Sequence, residues 1–403
     1  TIGSYNLLKN NFSFSHTDEQ IAIGLNYGHL ETDGYRQNNR FNRDALLLNV
    51  SFEINTKSTL GLLVNYVDYF AQIPSSLGIT AFNENPQQAA FTWNAAKGYE
   101  ANKYTLVGLS LTHDFSKSFK NTTSIFYSYL DHYEPRPFGI LDEFTNGFGF
   151  RTRFEGDFRI FEKAANYTFG AELYKDEYNW SEFENLYQEN NGNGSAQGDL
   201  FARNKEFRTQ LNSFGTVLMN LTPKLQAQLG LNLNKTQYNY RDLFNAETEN
   251  KSATRDFRSI VLPNATVNYT FGDFQKLYAN ISRGFSNPTL EETLTPEGVI
   301  NPDIAQETGV NYELGTSLYL DHKKLHIGAA IYQMNIKNLL VAERIGDDQF
   351  VGKNAGKTKH QGLEISATYQ LRISQILQVQ PFLNYTFNKH NFVDFVDEDV
   401  SYS

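Results

Sequence analysis

From Asp44 to Asn55, apolar and polar side chains change places at almost every residue. Leu46, Leu48, Val50, Phe52 and Ile54 fall on one face, and Leu47, Asn49, Ser51, Glu53 and Asn55 on the other. Successive strand side chains point to opposite faces, so this period of two predicts a strand with one apolar face and one mainly polar face. Leu225 to Asn234 repeats the pattern, with Leu225, Ala227, Leu229, Leu231 and Leu233 against Gln226, Gln228, Gly230, Asn232 and Asn234. Thr105–Asp114 and Leu377–Asn388 alternate in the same way. A helix would space its apolar residues three and four apart, and these segments do not.

The connections predicted between such strands alternate in length. Short polar turns fall at Thr17–Gln20, Asn55–Ser58, Ser116–Ser118, Thr222–Lys224, Gly272–Phe274, Asp321–Lys323 and Arg372–Ser374. Longer connections are expected at Ala71–Ala101, Glu134–Gly147, Phe183–Glu206, Leu243–Asp256 and Gly284–Glu307. Short turns on one side and long loops on the other mark an outer-membrane barrel rather than a soluble sandwich. The count comes to roughly sixteen strands of about ten residues or more, the length a tilted strand needs to cross a bilayer. The fold class expected is therefore all-β, an antiparallel transmembrane β-barrel.

Composition agrees with a barrel. The chain has 403 residues, 32 Phe and 24 Tyr, no Cys and only two Met. Its mean hydropathy of -0.49 would suit a soluble protein, but a barrel that alternates lipid-facing and lumen-facing residues averages just as low. No run of about 18 apolar residues offers a transmembrane helix. A net charge of -10 argues against nucleic acid as a partner. Without Cys there is neither a disulfide nor a thiolate metal site. Aromatic residues gather near predicted strand ends, at Tyr66, Tyr69 and Phe70, at Tyr127, Tyr129 and Tyr133, and at Tyr238 and Tyr240. That suits a girdle at the headgroup level. Asn190–Gly198 has the composition of a flexible loop tip.

Nothing in the sequence supports catalysis. Neither Gly-x-Ser-x-Gly nor His-Glu-x-x-His occurs, and the chain is expected not to be an enzyme. His322 and His326 straddle a turn, so their spacing of four does not bring them to one face, and no metal site or cofactor is assigned. Asp347-Asp348 and Asp397-Glu398-Asp399 read as solvated charges in loops. Gly192-x-Gly194 lacks the strand-to-helix setting of a nucleotide loop.

The strongest motif group lies between Tyr278 and Leu371. It runs Ser282-Arg283-Gly284-Phe285-Ser286-Asn287-Pro288, then Gly298-Val299-Ile300-Asn301-Pro302-Asp303. Glu307-Thr308-Gly309-Val310-Asn311-Tyr312-Glu313-Leu314-Gly315 follows, and the group ends with Asn354-Ala355-Gly356-Lys357 and Gly362-Leu363-Glu364-Ile365. Ordered and spaced in this way, these blocks resemble the late-barrel signature of TonB-dependent outer-membrane receptors. Asp33-Gly34-Tyr35-Arg36, Ile73-Pro74-Ser75-Ser76-Leu77, Asn85-Pro86 and Ala90-Phe91-Thr92-Trp93 are similar to receptors of the ferric-siderophore and ferric-citrate type.

The resemblance implies that nearly all of residues 1–403 form the barrel domain. It implies a family barrel of about 22 strands closed by a plug, of which about 16 strands are present here. On that alignment the chain is expected to start near the first hairpin, without the plug and TonB box, and to stop about five strands early. It further implies import of an iron complex across the outer membrane of a Gram-negative bacterium, with lipid around the barrel and TonB acting through the plug. Haem, vitamin B12 and glycan importers are the alternatives within the family. The absence of His between Phe285 and Asp303 weighs against haem. A passive porin and a soluble β-rich binding protein are the alternatives outside it.

Ligand contacts are expected at the long-loop end. Arg pairs with carboxylates in a bidentate way, so Arg36, Arg40 and Arg136 are candidates for an anionic chelate, with Trp93, Tyr99 and Tyr133 as aromatic partners. The negative net charge means that any recruiting field must be local. The family-motif loop contributes Gly284, Phe285, Pro288, Glu291, Asn301, Pro302 and Glu307. Gly284, Pro288, Gly298 and Pro302 are expected to set its bends, and the loop is a candidate lid. Glu307 and Glu313 are expected to be structural, pairing with cations of the lumen or plug.

Overall fold

The structure is a computed structural model. It describes every residue except Asp273, Leu290, Pro296, Glu297, Asp347, Asp348, Ala355, Glu398, Asp399 and Ser403, and only the backbone of Glu247, Glu291 and residues 344–346, 349–350, 395–397 and 400–402. Among the described residues, sixteen strands are eleven residues or longer, and the pairings between them are antiparallel. No described helix is long and apolar enough to cross a membrane.

The chain divides into two compact units. One comprises Thr1–Arg153, Glu172–Gln210 and Gln237–Thr254, and the other Phe154–Ala171, Leu211–Thr236 and Arg255–Ser403. In the first, Leu7–Thr17, Ile21–Thr32, Phe41–Asn55, Ser58–Gln72, Tyr99–Ser116 and Phe119–Arg136 pair each with the next. In the second, the Leu225–Asn234 stretch pairs with Ile260–Phe271. Gln275–Ser286, Glu307–Leu320, Leu325–Lys337, Lys357–Tyr369 and Phe382–Asp397 follow in order.

Register decides which face each residue occupies. Leu46 stands opposite Tyr27 and Tyr66, and Leu48 opposite Leu25 and Val64, so apolar residues share one face. Asn49, Ser51, Gly108 and Ser110 share the other. The apolar face is not a core. Leu229, Leu231 and Leu233 are 64%, 47% and 43% exposed, and Ile125, Leu314 and Ile331 lie equally open. Leaving such side chains in water forfeits about 1.5–3 kcal/mol each relative to apolar surroundings. The polar face meanwhile carries Asn264, Thr266, Asn280, Glu313, Glu364 and Asn384 in adjacent register. Apolar outside and polar inside is the inverse of a soluble sandwich and fits a lipid-embedded wall.

The aliphatic face stops before the long-loop ends. In the first unit, Tyr27, Tyr66 and Tyr129 share a register level on the outer face, and His29, Asp44, Asp68, Lys103 and Asp131 occupy the next level toward the loops. The Tyr27 hydroxyl donates to Asp44 at 2.6 Å and the Tyr66 hydroxyl to Asp68 at 3.2 Å. Phenol rings below and charges above are what an interface between lipid and water selects.

The short turns are built by side-chain acceptors. Asp18 Oδ1 accepts from the Gln20 and Ile21 N–H groups at 2.8 Å each, and Thr222 Oγ1 accepts from Leu225 N–H at 3.0 Å. These bonds satisfy turn donors locally. Phe161 and Glu162, at φ 47° and 62°, close a further two-residue turn between Gly139–Ile160 and Lys163–Asn185, with the left-handed pair that matches strand twist.

Several expectations need correction. Glu134–Gly147 is not a long connection: only Pro137 and Phe138 separate Phe119–Arg136 from Gly139–Ile160. Its polar residues Glu143 and Thr145 are the inward half of a strand whose outward half is Phe144, Phe148 and Phe150, all exposed. Gly284, Phe285 and Glu307 are strand residues, with Gly284 opposite Gly309 and Phe285 opposite Thr308. Gly284 has open space around it and no positive φ, so nothing here requires glycine. The Leu377–Asn388 strand begins only at Phe382, because Pro381 has no N–H to give a ladder. Within Asn190–Gly198 a compact turn precedes the strand that starts at Gln197: Asn191, Gly192 and Gly194 take φ of 51°, 79° and 95°, and Asn190 Nδ2 donates to Gly194 O at 3.0 Å. Asp397 ends a strand rather than lying in a loop, whereas Asp347, Asp348, Glu398 and Asp399 lie outside the described residues. His326 lies 3.0 Å from Ser317 Oγ and stacks on Tyr319.

Candidate functional site

In the first unit the long connections are bonded into one platform. The segment 73–98 carries two short helices, Ile79–Glu84 and Phe91–Ala96. Asn38, at φ 50°, donates its amide to the carbonyls of Ile73 (2.9 Å) and Gly98 (2.8 Å), and Ile73 N–H donates to Gly98 O at 3.0 Å. The Arg36 guanidinium donates to the carbonyls of Gln88 (3.0 Å), Ser75 (2.6 Å) and Pro74 (3.2 Å). From the other side Ser195 N–H donates to Ala96 O at 2.8 Å, and Asn185 Nδ2 to Arg136 O at 2.8 Å. A candidate ligand arginine, Arg36, is thus committed to backbone carbonyls, of which Pro74 O also accepts from Ala90 N–H at 2.8 Å.

The other candidates separate by face. Trp93 packs edge-on against Phe138 at 6.3 Å, and the Arg136 guanidinium lies 4.8 Å from the same ring. Phe138, itself 51% exposed, therefore joins two residues chosen independently from the sequence. Arg136 lies on the inward register with His132 and Glu134, and its Nε is 4.0 Å from Glu134 Oε2. Arg40 is exposed beside the platform. Tyr99 and Tyr133 share the outward register with Leu109 and Ile125 and pack with Phe70, at 4.8 Å for Phe70–Tyr99 and 6.2 Å for Tyr99–Tyr133. They continue the aromatic girdle instead of facing Arg136.

The inward wall of this unit holds polar groups that sequence reasoning missed. Arg208 donates through Nε (3.1 Å) and Nη2 to Asp176, which is buried. Tyr178 stacks on Trp180 at 4.8 Å, Trp180 on Tyr240 at 5.8 Å, and the Tyr178 hydroxyl donates to Glu143. His132 Nδ1 is 2.8 Å from Asn102 Oδ1. The signal was available in the period-two set Asp176, Tyr178, Trp180 and its counterpart Asn204, Glu206, Arg208, but only register brings the two together. Buried charges persist when paired and hydrogen-bonded, so this wall is a preformed, rigid surface. It is acid-rich, which leaves Arg40, Arg136 and the exposed Lys97 as the local cations at the platform.

In the second unit the family-motif loop is packed down. Arg255 donates to the carbonyls of Pro302 and Ile304, the latter at 2.5 Å, and its guanidinium lies over Phe257 at 5.1 Å. Burial in this loop holds the Arg255 guanidinium below its ordinary value, opposed by Asp303. Asn354 donates to Ala305 O (3.1 Å) and accepts from Ala305 N–H (2.7 Å). Asn301 N–H donates to Thr293 O at 2.6 Å, and Glu307 accepts from Leu340 N–H at 3.2 Å. Pro288, Ile300 and Ile304 are buried. Thr289 and Glu292 cap each other reciprocally, while the Glu291 side chain lies outside the described residues. The loop is therefore tied at four points and is not the free flap a lid requires. Glu313 takes its proton donors from Tyr278 (2.6 Å) and Asn311 (3.4 Å) rather than from a cation of this chain. Among the described residues no three His, Cys, Asp or Glu side chains cluster to hold a metal.

The model of the β-barrel of TonB-dependent receptor-like proteins matches residues 52–403. The chain belongs to this family, and it is an outer-membrane barrel of a Gram-negative bacterium. Solved structures agree on the fold. The unliganded ferric citrate transporter FecA has 16% identity and a TM-score of 0.78, covering 96% of this chain and 57% of its own. The siderophore receptor PiuA from Acinetobacter baumannii has 14% identity and a TM-score of 0.76, with 99% and 64% covered. The copper transporter OprC has 15% identity and a TM-score of 0.73, with 96% and 60% covered. The chain thus spans 57% to 64% of the length of these three structures.

Proposed function

We propose that residues 1–403 form the barrel domain of an importer that captures an anionic iron chelate, a ferric siderophore or ferric-citrate-like complex, at its long-loop end. Passage is driven by TonB through a plug that these strands do not supply. No bond in the cargo is broken, and the family and its neighbours are receptors and transporters. The observation that carries the cargo class is the Trp93–Phe138–Arg136 group on the bonded platform, with Arg40 beside it. A cation held against an aromatic surface suits a chelate that presents carboxylate or catecholate oxygens and flat apolar edges. Arg36 serves this site as a positioning residue. The remaining motif residues, Pro288, Asn301, Pro302 and Glu307, brace the motif loop of the second unit.

Binding of a ferric chelate panel to the full-length protein, read by intrinsic Trp and Tyr fluorescence, tests the reading. Ferric citrate or one ferric siderophore should bind, and a strain lacking the protein should lose growth on that iron source. Binding of haem, cobalamin, a glycan or a copper complex in place of every ferric chelate would sink it.

A further inference from the structure

On the inward face of the second unit, four successive strands bring a row of neutral donors together. Met334 stands opposite Asn311 on one side and His360 on the other, and His360 stands opposite His390. The row crosses Glu307–Leu320, Leu325–Lys337, Lys357–Tyr369 and Phe382–Asp397 at one level. Directly opposed residues have their Cβ atoms about 4.5–5.5 Å apart, so the side chains of Met334, His360 and His390 can converge on one small ion.

The two imidazoles already face each other. His360 Nδ1 lies 2.7 Å from His390 Nδ1, with the ring planes at 74°. His360 Nε2 lies 2.8 Å from the hydroxyl of Thr358, which is buried. With Nε2–H donated to that hydroxyl, Nδ1 of His360 carries the lone pair and points at His390. A ligating histidine is held in this way, one nitrogen bonded to the protein and the other turned to the ion. Two nitrogens bound to one ion at about 2.0 Å stand roughly 3 Å apart, so a small turn of the exposed His390 ring makes room. Charge favours a cation here. Among the described residues, no Lys or Arg occupies the inward face of these four strands between the levels of Gly309 and Glu364, whereas Glu313 and Glu364 do. The buried Oδ1 of Asn311 has no hydrogen-bond partner, and a water carried by the ion would supply one.

We infer that Met334, His360 and His390 bind one Cu(I) ion on the inward wall. Imidazole suits several late first-row metals, and a thioether selects Cu(I), so copper is the metal that both ligand types share. A zinc site would need a third nitrogen, thiolate or carboxylate ligand, and none stands in this row. The three ligands come from three neighbouring strands, so the ion ties those strands and binds only the folded barrel. The inference rests on the register of these strands and not on the identity of the cargo at the long loops.

The test uses the full-length protein in detergent, kept anaerobic and titrated with Cu(I) against a chromogenic Cu(I) chelator. The protein should take up one equivalent of Cu(I) that the combined His360→Gln and His390→Gln variant does not. Cu(I) should raise the temperature at which the folded band disappears in heat-modifiable electrophoresis, and should not do so in that variant. Thr358→Val removes only the bond that orients His360 and should weaken Cu(I) binding by about tenfold. Met334→Leu keeps the apolar volume and should weaken Cu(I) binding at least as much, which tests the site even if the double variant fails to fold. Equal Cu(I) uptake by the protein and the folded double variant, or an affinity unchanged in Met334→Leu, would each overturn the inference.

Discussion

The Tyr278 hydroxyl donates to Glu313 Oε1 at 2.6 Å while the Tyr278 ring lies flat over Gly315, two residues further along the neighbouring strand. A Cβ at position 315 would stand 2.4 Å from the ring. One aromatic residue thus accounts for two letters of the Asn-Tyr-Glu-Leu-Gly block. The arrangement recurs one hairpin on, where Tyr332 covers Gly362 and donates to Asn388 at 2.7 Å. Packing an aromatic over a strand glycine offsets the missing side chain.

Gly315→Ala should therefore displace the ring and destabilise the barrel by about 1–3 kcal/mol, the usual cost of overpacking. Tyr278→Ala in the same chain should recover part of that loss, because both changes act on one contact. The temperature at which the folded band disappears in heat-modifiable electrophoresis measures both. Strictly additive effects would refute the pairing.

Arg255 is the clamp on the motif loop. Arg255→Ala removes charge-assisted bonds to two carbonyls, each worth about 1.5–3 kcal/mol, and should expose residues 286–306 to added protease on intact cells. Arg255→Lys, with a single point of donation, should fall between the two. Unchanged cleavage in Arg255→Ala would show that Asn354 and the buried Pro288, Ile300 and Ile304 suffice alone.

Arg36 and Arg136 should separate in their effects. Arg36→Gln removes the guanidinium from the carbonyls of Ser75 and Gln88, leaving Pro74 O with the Ala90 N–H alone, and should loosen the 73–98 segment in hydrogen exchange. Arg136→Gln should leave that exchange unchanged and weaken binding of an anionic ferric chelate by about tenfold, or about 1.4 kcal/mol. Equal affinity in Arg136→Gln would remove Arg136 from the site.

Asp242 gives the pH dependence. Burial would raise its carboxyl, but the N–H groups of Asn245, Lys251 and Phe244 and the Asn245 amide outweigh burial and hold it below the usual carboxylate range. A depressed folded value means that the unfolded chain takes up the proton first. The stabilisation is complete above the ordinary value of about 3.9 and is lost as pH falls through the depressed one. Protection of the Phe244, Asn245 and Lys251 amides, corrected for intrinsic exchange, should hold at pH 5 and collapse only in strong acid. Asp242→Asn should be weakly protected at every pH.

What could be read from the sequence was whatever depends on neighbours along the chain. The alternation at Asp44–Asn55 and Leu225–Asn234, the turns at Asp18 and Thr222, and the number of long strands all follow from local chemistry. The Glu134–Gly147 hairpin was mistaken for a loop because the inward half of a strand is as polar as a loop. The faces of Tyr99 and Tyr133 were hidden because facing is set by register with Phe70 and Ala101. The Asp176–Arg208 pair joins two strands whose side chains meet only after folding, and no local pattern ties residue 176 to residue 208. At the motif loop the means of attachment was hidden: Pro302 and Ala305 are held through their backbones, which any residue type offers.

The amide of Asn38 grips the first and last carbonyls of the 73–98 excursion, so its two ends are fastened together as one neck. Changes in the length of the excursion away from its contacts with Arg36, Phe138 and Ser195 would leave the spacing of the strands on either side as it is. A lineage could exchange this whole segment to meet a new cargo while its barrel stays as it is, provided an asparagine able to adopt a left-handed backbone remains at the fastening.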